Sequence, residues 1–395
     1  SIRRQRQMCI RDSPTAVFHN PAGIAWLDGT QISLGSTLIT SKSSLELPNW
    51  PTETTWNVKS QLFYPSTFYI THKFSEKISG GFGFFSPYGL GTTWENPETF
   101  PLRYIATSDE MQTFIFNPVI AYKFSDKVAV AFGASYIISN LTFELVDSAD
   151  FRLFGGGVYD VPATVKGDGS AWGYNAGFLY RGEKASIGVN WRGGFTIDFE
   201  GDLDLDSTNV PAPFNAYVPP SGDVKTSFNF PNILAVGAAF NLTEKTLLSL
   251  DFHYVFWNTY DEFTITIDYP DPFPDEEPQV VEENWEASIV FRTGLQHQLN
   301  EKLALRAGFL YDRTPQPVAT MDPILPDANR VAFTAGFGYK TGNLFIDVAY
   351  QFELFADRTS QNRSIAAYQI GGVNLGEGTY STTAHLIGIS FGFKL

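Results

Sequence analysis

The sequence predicts an all-β chain, a transmembrane antiparallel β-barrel of about fourteen strands, with the even count that bacterial barrels show. Three observations lead there. A short turn motif recurs along the chain. The segments flanking each turn alternate apolar with small or polar residues. No apolar run approaches the roughly 18 residues from which a membrane helix is built.

The turns come first. Phe74-Ser75-Glu76-Lys77, Phe124-Ser125-Asp126-Lys127, Arg181-Gly182-Glu183-Lys184, Leu242-Thr243-Glu244-Lys245 and Leu299-Asn300-Glu301-Lys302 each precede an apolar run, and Lys340-Thr341-Gly342-Asn343 is a sixth, variant turn. They lie roughly 40–60 residues apart, a spacing that invites a repeat fold. The intervening segments, however, share no motif and vary in length, so the turns read as one rim of a meander.

The flanks supply the strands. Val331, Phe333, Ala335, Phe337 and Tyr339 alternate with Ala332, Thr334, Gly336, Gly338 and Lys340. Leu303, Leu305, Ala307, Phe309 and Tyr311 alternate with Ala304, Arg306, Gly308, Leu310 and Asp312. Ile387, Ile389, Phe391, Phe393 and Leu395 alternate with Leu386, Gly388, Ser390, Gly392 and Lys394. Period two puts each set on its own face. A soluble sandwich would load its outer face with charge. Here the second face is mostly small, and aromatics gather near strand ends, as in the girdles of a membrane barrel.

Six turns join six strand pairs, and one further strand lies at each end, near Gly29–Lys42 and Thr379–Leu395. The opposite connections are long: Ser43–Pro65, Gly89–Ser108, Val146–Ser170, Gly201–Asp223, Asp268–Glu283, Thr314–Asn329 and Gln361–Gly378. Short turns face the periplasm and long loops the exterior, which places the chain in a bacterial outer membrane.

Composition agrees. The net charge of −15 excludes a nucleic-acid surface, which must be basic. A membrane strand needs only about 9–11 residues with every second one apolar, so average hydropathy is no objection. Cys9 stands alone and makes no internal disulfide. It lies in Ser1–Ser13, a basic stretch without an apolar signal core, whose MCIRDS string resembles translated sequencing adapter. That stretch is expected to be a non-native leader.

At Ser13–Leu27 the chain reads SPTAVFHNPAGIAWL, with Asn20-Pro21-Ala22-Gly23 at its centre. Ser86-Pro87-Tyr88-Gly89-Leu90-Gly91 follows, then Leu305–Asp312 with Pro315 and Pro317, Pro326–Arg330, Gly336–Tyr339, and His385, Leu386 and Gly388. In this order the set resembles the FadL/TodX family of outer-membrane transporters for hydrophobic compounds. The Gly-rich segment that precedes the family's signature is missing, and Leu395 replaces a terminal aromatic. The resemblance implies a barrel over residues 29–395, its lumen closed by an N-terminal hatch at 14–28. It also implies passive passage of long-chain fatty acids or aromatic hydrocarbons, with a sideways exit at a kinked third strand. The expected partners are a hydrophobic ligand (fatty acid or detergent-like lipid), outer-membrane lipid and lipopolysaccharide, with the chain a monomer. A general porin and a barrel lipid hydrolase are the alternatives.

Candidate residues follow. Asn20, Pro21, Ala22 and Gly23 make a stiff turn that directs Ile24, Ala25, Trp26 and Leu27 into the lumen as a hatch, or alternatively a plain entry turn into strand one. Proline lacks the N–H a sheet ladder needs, so Ser86, Pro87, Tyr88, Gly89, Leu90 and Gly91 suit a gap in the wall; alternatively the strand simply ends at Ser86. By parity Arg181, Arg306, Lys340, Asp312, Asp347 and Glu353 face inward. Arg306, Lys340 or Arg181 could hold a carboxylate, unless these charges pair with one another. Trp50, Trp56, Trp94 and Phe100 suggest an outer landing site or plain loop packing. Asp268–Glu283 is a dense acidic run, read as a solvated loop.

No cofactor or metal is expected. His19, His72, His253, His297 and His385 show no HExxH or metal spacing, and no GxSxG, P-loop or dinucleotide fingerprint appears in context. Only His253 and His297 leave a hydrolase open.

Overall fold

The recurring motif builds the same turn four times. The N–H groups of Phe74, Phe124, Leu242 and Leu299 donate to the carbonyls of Ile78, Val128, Thr246 and Leu303, each at 2.9 Å. The second residue folds its side chain back on the turn. Ser75 Oγ accepts from Lys77 and Ile78 N–H. Ser125 Oγ and Thr243 Oγ1 accept from Lys127 and Lys245. Asn300 Oδ1 accepts from Lys302 and Leu303. Short oxygen-bearing side chains are selected there because they reach their own backbone two residues on.

The structure is a computed structural model. It describes residues 13–48, 50, 55–89, 91–361 and 377–395, with the backbone alone at 369–370 and 373–374. Residues 1–12, most of the stretch expected to be a non-native leader, and Leu90 of the expected kink lie outside the described residues.

The turns and long connections join fourteen strands: β1 (Thr30–Glu46), β2 (Thr55–Asn57 and Ser66–Lys73), β3 (Ile78–Phe85 and Gly91–Thr93), β4 (Ser108–Lys123), β5 (Val128–Asp150), β6 (Val158–Arg181), β7 (Ala185–Arg192 and Phe195–Leu205), β8 (Ser221–Phe230 and Ile233–Asn241), β9 (Thr246–Val255 and Glu262–Asp268), β10 (Gln279–Glu282 and Ser288–Gln298), β11 (Leu303–Asp312), β12 (Arg330–Thr341), β13 (Leu344–Phe355) and β14 (Thr379–Lys394). Each pairs antiparallel with the next, and β14 returns to β1 over Gln31↔Lys394 to Glu46↔Thr379, which closes the barrel. Closure leaves no free sheet edge.

The alternation read from sequence sets the two faces. Phe333, Phe337, Ile387, Ile389, Phe391 and Phe393 are exposed, whereas Ala304, Ala332, Leu386 and Ser390 are buried. Exposed apolar rows on a closed barrel are its lipid-facing band. Tyr136 and Trp172 pair on that surface at 5.0 Å, and Phe74 and Phe124 stand exposed at the turn rim.

Two features depart from the sequence reading. The connection expected at Val146–Ser170 is largely strand, since β5 runs to Asp150 and β6 starts at Val158, and the one expected at Gly201–Asp223 is strand at both ends, since β7 reaches Leu205 and β8 starts at Ser221. On β7 the exposed Asp198, Glu200, Asp202 and Asp204 alternate with buried Ile197, Phe199 and Leu203. That is the pattern of a sheet with one wet face, so the wall continues above the lipid as an acidic palisade. Its composition looks like loop; its period does not.

The second is Pro118, inside β4 opposite Phe82. It offers no N–H to β5, and Asn117 supplies the donor instead, Nδ2 bonding Ala134 O at 2.7 Å. This interruption of the ladder is mended by a side chain.

Candidate functional site

The N-terminal segment lies inside the turn end of the barrel. Ala16–His19 forms one helical turn and Pro21–Trp26 a 3-10 turn. Asn20 joins the two: Oδ1 caps Ala22 N–H at 3.1 Å, while Nδ2 donates to Phe178 O on β6 at 2.9 Å and to Val189 O on β7 at 3.3 Å. Ala22, Ile24 and Asn20 are fully buried, as is Val17. Space is made by glycine. A Cβ at Gly81 or Gly83 of β3 would come within 2.8 and 2.9 Å of the Val17 methyls, and one at Gly177 would overlap Asn20 Oδ1. Ala25 and Leu27 are buried as expected from sequence. Trp26 instead sits half-buried at the rim, its Nε1 bonding Asp126 O at 3.2 Å in the β4–β5 turn.

The second element is the interruption of β3. Its ladder with β2 runs from Lys73↔Ser79 to Phe68↔Phe84 and stops. Ten residues on along each strand, Val58 faces Trp94 in the same register, and Lys59 N bonds Thr93 O at 2.8 Å. Between these points no backbone hydrogen bond joins β2 to β3 among the described residues. Toward β4 the chain bulges by one residue, since Phe85 faces Ile115 but Gly91 faces Glu110. There the gap is bridged, with Thr113 N–H donating to Tyr88 O at 3.1 Å. Gly89, at φ 147, occupies backbone space that L side chains rarely adopt, and a Cβ on it would stand 2.9 Å from Met111 O.

Across the gap, the β2 chain at Leu62–Pro65 keeps its bonds to β1: Phe63 and Ile39 exchange both, and Thr37 N–H donates to Pro65 O. Its other edge is blunted, because Tyr64 O accepts from the hydroxyls of Ser36 and Ser66 at 3.2 Å. Leu62 and Tyr64 are exposed on the lipid side. Nothing in the sequence reading singled out this stretch; its signal is Pro65 between aromatics.

Behind the interruption lies an aromatic group. Tyr88 packs on Phe230 at 4.9 Å and on Phe195 at 6.1 Å, and those two stack at 4.8 Å. Phe85 meets Phe18 of the N-terminal segment edge-on at 4.7 Å. Arg192, at the end of the lower half of β7, reaches into this group. It lies 4.8 Å over Phe18 and 5.4 Å over Phe85, and donates from Nη2 to Phe18 O at 2.9 Å. The arrangement is an apolar lumen wall with a thin place in it, lined from within by aromatic rings and one guanidinium.

Residues 7–395 match the family of outer membrane protein transport proteins, OMPP1/FadL/TodX. The chain belongs to this family. The long-chain fatty acid transport protein of Escherichia coli is 21% identical over 365 residues, covering 84% of this chain and 78% of that protein. In fold the chain is similar to a FadL homologue of Pseudomonas aeruginosa, with a TM-score of 0.80 at 16% identity over 98% of this chain and 95% of that one. It is also similar to the Pseudomonas putida toluene transporter TodX, with a TM-score of 0.75 at 15% identity over 98% and 95% of the two chains. This is therefore an outer-membrane barrel of a family that transports hydrophobic compounds.

Within this FadL/TodX-family barrel the cations suggested by sequence have other engagements. Arg306 does face inward, and it binds Asp347 at 2.7 Å and Gln296 at 2.9 Å. Arg330, which parity did not single out, binds Asp312 at 2.6 Å and approaches Glu353 at 3.9 Å. The inward charges of β11–β13 thus pair among themselves. Arg181 lies 5.2 Å over the Trp26 ring at the rim. Lys340 is exposed at the turn end, 5.3 Å over Phe345. None of the three meets the aromatic group; Arg192 does.

The outer aromatics are a core rather than a landing surface. Trp56, Trp94 and Phe100 are buried with Leu45, Leu47 and Met321, and Trp50 packs against them. Trp94 stacks on Phe100 at 4.6 Å and donates to Pro323 O at 3.1 Å. The acidic run bonds within itself: Tyr269 N–H donates to Asp275 and its hydroxyl to Glu276, each at 2.9 Å, while burial pushes that phenol up. His253 lies against Arg292 on the inner wall, and His297 bonds Thr246 at the turn rim.

Proposed function

We propose that this protein carries long-chain fatty acids passively across the outer membrane. The N-terminal segment acts as the hatch, and the interrupted stretch Ser86–Gly91 of β3 as the sideways exit into the bilayer. The observation that supports this reading best is the one-sided break. It is bridged toward β4, has no backbone hydrogen bond toward β2 among the described residues, and is backed mainly by aromatic rings. The repaired interruption at Pro118 shows how this wall closes a proline gap where it is to stay closed. A passage for lipophiles needs apolar lining with few polar groups, and Phe85, Tyr88, Phe195 and Phe230 provide that. The protein works as a monomer in contact with outer-membrane lipid and lipopolysaccharide, without a coupling ion or nucleotide.

Aromatic hydrocarbons are the second reading, favoured by the ring-lined group itself and by the likeness to TodX. Arg192 tips the balance, because a guanidinium gives a carboxylate charge-assisted hydrogen bonds and gives toluene only a weaker cation–π contact. The test is uptake of labelled oleate and of labelled toluene by Escherichia coli cells deprived of their own long-chain fatty acid transport protein and expressing this chain. Oleate uptake above the empty-vector level is expected. Replacing Ser86–Gly91 with a Thr/Val strand segment should abolish it while the barrel still folds. Toluene uptake without oleate uptake would overturn the fatty-acid assignment. Undiminished oleate uptake in the replacement variant would overturn the exit route.

A further inference from the structure

The inward arginines of this barrel are engaged differently, and Arg292 lies against His253. Arg306 and Arg330 each hold a carboxylate. Arg192 is 6% exposed, yet among the described residues no acidic group pairs with it; the ionisable groups whose charge acts on it are the phenols of Tyr88 and Tyr69. Among the described residues its guanidinium donates to a neutral acceptor, the Phe18 carbonyl. A cation removed from water without a counter-charge is held at a cost, and that cost falls when an anion arrives. The same guanidinium also touches both parts of the transport path. Phe18 belongs to the N-terminal segment, and Phe85 is the last paired residue of β3 before its interruption.

We propose that Arg192 is a latch between the N-terminal segment and the β3 wall, opened when a substrate carboxylate takes the guanidinium from the Phe18 carbonyl. This rests on the fatty-acid reading above and adds how the headgroup acts. A carboxylate accepts two parallel N–H bonds from a guanidinium and brings an opposite charge, where the carbonyl takes one bond and is neutral. Once the exchange is made, Phe18 loses its polar tie. Its ring, edge-on to Phe85, is then free to leave the aromatic group behind the break. The remaining ties of the segment, Asn20 to β6 and β7 and Trp26 to the rim, lie elsewhere and need not break. An uncharged lipophile of the same length has nothing to exchange and leaves the latch shut. Selection by the headgroup and opening of the path are then one event.

The test compares oleate with methyl oleate, which share the acyl chain and differ in whether the headgroup is charged, on the whole protein in nanodiscs. Wild type, Arg192→Gln and Arg192→Lys are measured for affinity and for hydrogen exchange over residues 13–27. Wild type is expected to bind oleate about tenfold tighter than the ester, close to the worth of one charge-assisted bond. Oleate, but not the ester, should speed exchange in the segment. In Arg192→Gln the preference should fall below about twofold, and exchange should be fast without ligand and unmoved by it. Arg192→Lys, a point charge without the planar fork, should keep part of the preference. Phe18→Ala, which keeps the carbonyl, serves if Arg192→Gln does not fold; it should keep the oleate preference while exchanging faster. A preference for oleate that survives in Arg192→Gln, or oleate binding that leaves exchange unchanged, overturns the latch. Equal binding of both probes to wild type also overturns it while leaving transport standing. Binding of neither probe removes the fatty-acid reading and the latch together.

Discussion

Gly177 on β6 is where the seat of the N-terminal segment can be tested with one methyl group. A Cβ there would overlap Asn20 Oδ1, stand 2.9 Å from Pro21 Cδ and stand 3.1 Å from Ala22 N, so Gly177→Ala cannot coexist with the observed seat. The Asn20 side chain bonds Phe178 O, Val189 O and Ala22 N–H. At about 0.5–1.5 kcal/mol net for each, displacing it forfeits roughly 1.5–4.5 kcal/mol. Each 1.4 kcal/mol is a factor of ten, so the unseated population should rise roughly 10- to 1,000-fold. The barrel itself should be unharmed, because the new methyl meets only the segment. The assay is hydrogen exchange over residues 13–27, beside ion conductance in planar bilayers. Both should rise in Gly177→Ala. Neither should change in Gly392→Ala, whose Cβ would meet nothing nearer than 3.5 Å. Wild-type protection and conductance in Gly177→Ala would refute the reasoning, since the segment would then be held by something other than Asn20.

Other outcomes follow from single contacts. Arg306→Met leaves Asp347 on the inner wall without its cation and should lower the urea midpoint of unfolding, at a cost of about 3–5 kcal/mol; adding Asp347→Leu should restore most of it. Asn117→Ala strands Ala134 O and should cost about 1–3 kcal/mol by the same measurement, while Asn117→Ala with Pro118→Val, which returns an N–H to β4, should regain stability. Asn300→Ala removes two bonds inside the β10–β11 turn and should cost about 1 kcal/mol, visible as faster exchange at Lys302 and Leu303 with uptake unaltered.

Much of the architecture could be read from residues close in sequence. All six turns fall where the motif places them, and in four of them Ser75, Ser125, Thr243 and Asn300 each bond backbone two or three residues away. The parity of β11, β12 and β14 was equally legible, since a side chain's face depends only on its position along the strand. What escaped reading was set by partners distant in sequence. Arg192 has its meaning only through Phe18, far back in the chain. Arg306 offered itself as a ligand for substrate only until Asp347 was seen beside it. The upper parts of β5–β8 were lost for a different reason. Their acidic residues and glycines have the composition of loops, and their alternation was the weaker signal. Pro87 was readable as a break, but not that β2 passes it in unbroken register, which depends on a bridge between Val58 and Trp94.

The order of pairing has a consequence for how this molecule assembles. Thirteen of the fourteen strand contacts join neighbours in the chain, and turns of one design clamp several of them locally, so those hairpins can zip early. The β1–β14 seam alone must wait for both ends of the chain, and loop-closure entropy makes it the last to form. Until then the cylinder is an open trough. The residues just ahead of β1 can settle sideways onto β6 and β7, and the final stitch encloses them.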